Sequence, residues 1–165
     1  MILIALGANL PSPAGEPAET LRAALAALER NGIRPLKVSR FYKSVAWPHP
    51  SDPPFVNAVA EIATTHSPAR LIGKLHEIER LFGRTRGEQN APRPLDIDIL
   101  DYNGLIQEGP LTLPHPRMES RAFVLLPLSD IAPDWRHPVS GRSISELVPA
   151  PAVGAREVWP LFESP

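Results

Sequence analysis

The sequence predicts an α+β domain with a largely antiparallel sheet flanked by helices, on three observations. Its first half alternates in the order strand–helix–strand, strand–helix–strand, read from the apolar periodicity. Its strand–loop–strand connections are tight, which favours antiparallel pairing within an α+β layer architecture. Its 165 residues suffice for one substantial core and are short for two domains. A single domain over residues 1–165 is therefore expected, with no repeat, linker or low-complexity segment and with a proline-rich tail from about Pro149 that wraps the surface.

Each element has a local reason. Ile2 to Leu6 is an apolar run ended by the turn-prone Gly7-Ala8-Asn9, and reads as a buried strand. Pro17 to Arg30 places Leu21, Leu25 and Leu28 at helical spacing and stops at Asn31-Gly32. Ile33 to Tyr42 reads as one strand with Leu36, Val38, Arg40 and Tyr42 on a common face, followed by a loop rich in proline. Phe55 to Thr64 alternates, with Val56, Ala58, Ala60 and Ile62 apolar on one side. Ser67-Pro68 is a helix start, a capping serine with proline at the first helical position. That helix carries Leu71, Ile72, Leu75, Ile78 and Phe82 and ends at Gly83. A polar loop with Arg84 and Arg86 leads to the strand of Asp96 and Asp98. Leu111 to Leu113 is expected as a short strand, Glu119 to Leu128 as a helix, and Ser143 to Leu147 as a final turn.

Composition narrows the function. Apolar content of 43% and charged content of 21% suit an ordinary globular chain. A net charge of -1 gives no general pull toward nucleic acid or an anionic membrane, so any attraction for phosphate is local. Cysteine is absent, which excludes disulfides, thiol catalysis and cysteine-based zinc sites and fits a cytoplasmic protein. Met1 to Leu6 lacks a basic leader and makes a poor signal peptide, and no apolar run reaches membrane-spanning length. The 21 prolines are far above ordinary usage and spread through the connections, which stiffens loops.

The chemistry concentrates in Arg93-Pro94-Leu95-Asp96-Ile97-Asp98-Ile99-Leu100. Alternation puts Asp96 and Asp98 on one face, with Cα atoms ~6.6 Å apart, and Ile97 and Ile99 on the other. Aspartate is disfavoured in strands, and carboxylates on a packed face require a counter-charge or a cation. Mg²⁺ suits such a pair, because it takes one or two carboxylates and completes its octahedron with phosphates and water. Arg84, Arg86 and Arg93 bracket the preceding loop, and the planar guanidinium fork matches phosphate oxygens. Arg93 lies at an odd offset from the aspartates, so it joins them only if the chain turns at the strand mouth. Asp101 reads as a strand-end residue. The plainer alternative is a solvated acidic face beside a basic loop. No Gly-x-x-x-x-Gly-Lys-Ser/Thr run is present, which excludes a P-loop enzyme at the level of motif. Phe55 and Asn57 share a strand face and Phe123 opens a later helix; two such rings with an amide nearby would hold a flat heteroaromatic ring, and otherwise belong to the core. His115 is stiffened by Pro114 and Pro116 and is placed to meet phosphate, whereas His49, His66, His76 and His137 show no metal spacing.

With these residues in place, the chain resembles the 6-hydroxymethyl-7,8-dihydropterin pyrophosphokinases of folate biosynthesis over roughly residues 2 to 147. Gly7-Ala8-Asn9-Leu10, Phe41-Tyr42-Lys43-Ser44, Phe55-Val56-Asn57-Ala58, Glu79, Gly83-Arg84-Thr85-Arg86, Pro92 through Ile99, Pro114-His115 and Arg121-Ala122-Phe123 carry the resemblance, in consistent order. It implies a ferredoxin-like fold and transfer of diphosphate from ATP to the pterin hydroxymethyl group with release of AMP. It implies two Mg²⁺ ions on Asp96 and Asp98, and Arg84 and Arg93 near the transferred phosphates. It further implies Glu79, Arg86, Thr112, His115 and Arg121 toward ATP, with Ser44, Phe55, Asn57 and Phe123 around the pterin. A monomer acting on small molecules, without nucleic acid or membrane, is expected. The chain departs from some members at Asn90, where they carry tryptophan, and in a loop between Arg86 and Pro92 that is one residue shorter. Two other classes remain at this stage. Another Asp-x-Asp transferase would release pyrophosphate or a nucleoside diphosphate instead of AMP. An RNA-binding module would need a basic sheet face with several aromatics, where this chain offers Phe55 beside an acidic strand.

Overall fold

A computed structural model of the chain describes residues 1–46, 49–85, 91–148 and 158–161. Five segments hydrogen-bond in the order β5 (Asp96–Tyr102), β1 (Ile2–Ala8), β4 (Phe55–Thr64), β3 (Tyr42–Ser44) and β6 (Val158–Pro160), and β2 (Ile33–Val38) also pairs with β4. Every pairing is antiparallel. β4 is ten residues long, so one of its edges takes β2 along residues 60–64 and β3 along residues 55–57, while the other takes β1.

The alternation of the strands separates two faces. Ile2, Ile4, Leu6, Val56, Ala58, Ala60, Ile97 and Ile99 point to one side, where α1 (Pro17–Arg30) and α2 (Pro68–Leu81) cover them with Leu21, Leu28, Leu71, Leu75 and Ile78. Leu3, Val59 and Leu100 point to the other, against α3 (Ala122–Ile131) and α4 (Ile144–Leu147). Burying a side chain of this size contributes about 1.5–3 kcal/mol, so these two layers supply the main drive to fold. The result is a ferredoxin-like α+β arrangement. α1 opens on a capping box between Glu16 and Glu19, and α2 on the Ser67 hydroxyl accepting from the Arg70 N–H at 3.3 Å, with Pro68 at the first helical position. α2 ends where Gly83 takes φ +90°, a conformation glycine adopts without steric cost, so the chain can turn back toward β5.

Four expectations change. Ile33 to Tyr42 is not one strand: β2 stops at Val38, and Ser39 bridges the break, its N–H donating to the Val59 carbonyl and its hydroxyl accepting the Val59 N–H, both at 2.9 Å. Leu36 and Val38 are therefore exposed on an edge strand while Tyr42 is buried. Leu111 to Leu113 forms only a single bridge between Gln107 and Leu113. The helix expected from Glu119 begins instead with a 3-10 turn at Met118–Ser120, then runs as α3 to Ile131. The tail does more than wrap, since β6 extends the sheet. Trp47, Pro48, Arg86, Asn90 and residues 149–157 lie outside the described residues.

Asp101 is a structural residue. Buried at the end of β5, it accepts from Trp135 Nε1 at 2.8 Å and from the Gly104 N–H at 2.9 Å. Asp101→Ala leaves the buried indole N–H without its acceptor and is expected to lower the unfolding free energy by about 2 kcal/mol in urea denaturation. A loss below about 0.5 kcal/mol would show that another group takes the Trp135 proton.

Candidate active site

The second sheet face is not fully covered. Between β4, β5 and α3 it opens into a cavity of about 230 Å³. Strand parity accounts for its floor, because Ala5, Gly7, Asn57, Asp96, Asp98 and Leu100 all lie on the face opposite Ile97 and Ile99. Gly7 leaves room there: a Cβ on it would sit 2.9 Å from Asn57 Oδ1, so that the amide would have to shift.

One half of the cavity is aromatic and amide-lined. Phe55 stands at the start of β4 and Phe123 in the first turn of α3, both half-buried and both in the wall. Asn57 Nδ2 donates to Ser44 Oγ at 2.8 Å, which joins β4 to β3 beneath them. The position of α3 is tied to the same strand: the Asp130 carboxylate accepts from Tyr42 Oη at 3.0 Å and from Arg40 Nε at 3.2 Å.

The other half is charged. Arg93 turns toward Asp96, with Nη2 3.6 Å from Oδ2. It precedes the regular strand, where strict alternation does not apply; Asn9 anchors it by accepting the Arg93 N–H on Oδ1 at 2.8 Å and donating its own N–H to the Arg93 carbonyl at 3.1 Å. Arg93 Nε is buried without a hydrogen-bond partner among the described residues. The guanidinium carbons of Arg93 and Arg121 lie 5.6 and 5.3 Å from the ring centroids of Phe55 and Phe123, so each aromatic wall is flanked by a cation.

The carboxyls are tuned apart. Burial works against ionisation of Asp96, but the charges of Arg93 and Arg84 outweigh it and hold this carboxyl below the usual range. Burial, then the charges of Asp96 and Glu79, push Asp98 up to about 7. Glu79, at the end of α2, is also pushed up to about 7 by burial, against the Ile97 N–H that it accepts at 2.8 Å and the charge of Arg84. Arg84 Nη1 bridges Glu79 Oε2 at 2.8 Å and Asp96 Oδ1 at 2.5 Å. Burial, then Arg121 and Arg117, lower His115 to about 4, so its ring is neutral at physiological pH. The Arg117 N–H donates to His115 Nδ1 at 3.2 Å, which leaves the ring proton on Nε2.

The cavity thus brings together Ser44, Phe55, Asn57, Arg93, Asp96, Asp98, His115, Arg121 and Phe123 from the sequence-derived candidates. Glu79 and Arg84 stand behind Asp96 and outside the wall, and the hydroxyl of Thr112 donates to the Gly109 carbonyl at 3.2 Å, away from the wall. Arg86 lies outside the described residues. Arg117, Ser120 and Val158 are among the wall residues that are not candidates from the sequence. Arg117 had a signal, its spacing of four from Arg121 beside His115; Val158 had none. Among the described residues no group of three or more His, Cys, Asp or Glu side chains is placed to hold a metal ion.

Residues 3–133 match the family model of 7,8-dihydro-6-hydroxymethylpterin-pyrophosphokinase (HPPK). The 2-amino-4-hydroxy-6-hydroxymethyldihydropteridine pyrophosphokinase of Synechocystis sp. is 37% identical over 161 residues, covering 96% of this chain and 79% of that protein. The proteins of the same name from Pseudomonas aeruginosa and Haemophilus influenzae are 42% and 44% identical, covering 90% and 88% of this chain and 90% and 89% of their own length. A crystal structure of an HPPK-DHPS in complex with substrates superposes with a TM-score of 0.75 at 13% identity, a likeness of fold. This chain covers 98% of itself in that match and 46% of the solved chain, about half its length.

Asp98 and Glu79 keep protons in the folded chain up to about pH 7 that the unfolded chain gives up in the ordinary carboxylate range. Their contribution therefore favours folding most at or below the ordinary value and weakens as pH rises toward 7. Asp98→Asn is expected to flatten this fall. In chelator-treated protein unfolded by urea at pH 5 and pH 8, the variant should lose less stability than wild type by about 1 kcal/mol, once solvent screening at the open cavity is allowed for. Equal losses would contradict the assignment.

Proposed function

The chain belongs to the 7,8-dihydro-6-hydroxymethylpterin-pyrophosphokinase family, and we propose that it works through this cavity, with the acceptor in its aromatic half and the phosphates of ATP in its charged half. The enzyme transfers diphosphate from ATP to the hydroxymethyl group of 6-hydroxymethyl-7,8-dihydropterin, a step of folate biosynthesis. The observation that carries the site assignment is the meeting, in one cavity, of a Phe55/Phe123 wall pair with Asp96, Asp98, Arg93 and Arg121.

The hydroxymethyl oxygen attacks the β-phosphorus of ATP, the bond to the α-phosphate oxygen breaks, and AMP leaves. Such transfers need positioning and charge neutralisation more than covalent help. Phe55 and Phe123 fix the plane of the acceptor by stacking. Ser44 Oγ accepts from Asn57, so its own hydroxyl proton remains to meet the ring. Arg93 and Arg121 meet phosphate oxygens, the former with an Nε that still lacks a partner among the described residues. His115, neutral with its proton on Nε2, donates without adding charge. Arg84 is assigned with Arg93 to the transferred phosphates, and Glu79, Arg86 and Thr112 to the nucleotide side; the order of motifs along the chain supports this.

Asp96 and Asp98 are the residues that would hold the two Mg²⁺ ions. The donor set fits, since an adjacent carboxylate pair facing a cavity, one of them raised to about 7 by burial and by its neighbours' charges, is relieved by a cation. When bound, the metal neutralises charge on the transferred group and stabilises the attacking and leaving oxygens. Among the described residues no helix is long and apolar enough to cross a membrane. We take the enzyme to be a monomer acting on small molecules in the cytoplasm, a compartment that suits a chain without cysteine.

Incubation with ATP and 6-hydroxymethyl-7,8-dihydropterin is expected to release AMP, followed by chromatography of the nucleotides. The Asp96→Ala/Asp98→Ala double variant should slow that release about a thousandfold, the scale on which preorganised charge stabilisation acts. Release of pyrophosphate or ADP instead, or a double variant at wild-type rate, would overturn the reading.

A further inference from the structure

The family match ends at residue 133, yet the cavity does not. β6 pairs antiparallel with β3 in a fixed register: Ser44 opposite Val158, Lys43 opposite Trp159, Tyr42 opposite Pro160. Leu161 fastens the segment, donating its N–H to the Phe41 carbonyl at 2.8 Å and packing its side chain on the α1/α2 core. Side chains directly opposed across a ladder stand on the same face. Val158 accordingly stands beside Ser44 and lines the cavity with Ser44, Val45 and Phe55.

We propose that β6 is a working part of the acceptor pocket: Val158 forms its apolar wall beside Ser44 and so helps decide which flat ring is accepted. The proposal rests on the reading that the acceptor occupies the Ser44/Asn57 half. β3 is three residues long and would otherwise leave one edge to water. The ladder from β6 satisfies that edge and holds Ser44 at the distance at which it accepts from Asn57. Val158 in turn keeps water from competing for the polar pair, which strengthens their hydrogen bonds to a bound ring. A strand that merely protected the sheet edge would contribute to stability and leave acceptor recognition untouched.

The test is steady-state AMP release with acceptor and ATP varied independently, on the full chain, with thermal unfolding to confirm the fold. Val158→Asp is expected to raise the KM for the acceptor about tenfold or more and to leave the KM for ATP within about twofold, while Val158→Ile restores the acceptor KM. If Val158→Asp does not fold, Val158→Ala is read in its place, with an expected rise of about threefold in the acceptor KM alone. Asn57→Ala is the reference for the site itself. If Asn57→Ala raises the acceptor KM and the Val158 variants do not, or if they raise both KM values alike, the proposal falls and the site assignment stands. If Asn57→Ala leaves the acceptor KM unchanged, the site assignment falls and the proposal with it.

Discussion

The fold is arranged around the cost of placing two carboxylates on a sheet face. Asp96 and Asp98 sit two residues apart on β5, facing a partly buried cavity with one aromatic and one charged half. Such a pair does not sit there as two free charges. Arg84 and Arg93 stabilise the ionised form of Asp96, and the remaining strain falls on Asp98, which is left raised to about 7. Much of the surrounding architecture serves this compromise. Gly83 turns the chain at the end of α2 so that Arg84 reaches both Glu79 and Asp96, and Glu79 in turn accepts the Ile97 N–H between the two aspartates. Asn9 grips both backbone polar groups of Arg93 and so aims it.

The acidic pair has a counterpart in the cations across the cavity. Arg117 and Arg121 stand close enough for each to disfavour charge on His115, and burial lowers Arg121 itself. Like charges crowded at a partly buried wall are unfavourable without an anion, just as the aspartates are unfavourable without a cation. One small cavity therefore carries opposite charges that do not all pair with each other, the arrangement on which the proposed polyphosphate and metal site rests. The aromatic half is built differently: Phe55 and Phe123 stand above the hydrogen-bonded Ser44–Asn57 pair, and the Arg40–Tyr42–Asp130 cluster ties α3 to β3.

The parts of this arrangement governed by local pattern were readable in the sequence. β4 and α1 have the expected bounds because alternation and helical spacing are uninterrupted there, and Asp96 and Asp98 share a face because parity demands it. Asp96, Asp98, the two phenylalanines, Asn57, Ser44, His115 and Arg121 all line one cavity. What pattern does not encode is partnership between distant groups. The break between β2 and β3 depends on the Ser39 hydroxyl replacing a ladder bond to Val59, an interaction across twenty residues. The burial of Glu79 depends on a hydrogen bond to a strand eighteen residues on. Val158 enters the wall only because β6 adds to the edge of β3, and nothing in Val158-Trp159-Pro160 distinguishes an edge strand from a tail.

If the site is as proposed, Asp98 is a carboxyl that burial and then the charge of Asp96 keep protonated until a cation arrives. Carbon-13 NMR titration of the Asp98 carboxyl in metal-free protein, repeated with Mg²⁺ and a non-hydrolysable ATP analogue, tests it directly. The expected result is a midpoint near 7 without metal and one displaced well below the ordinary carboxylate range when Mg²⁺ and the analogue are bound. A midpoint in the ordinary carboxylate range in both conditions would show that Asp98 is neither raised by its surroundings nor relieved by a cation.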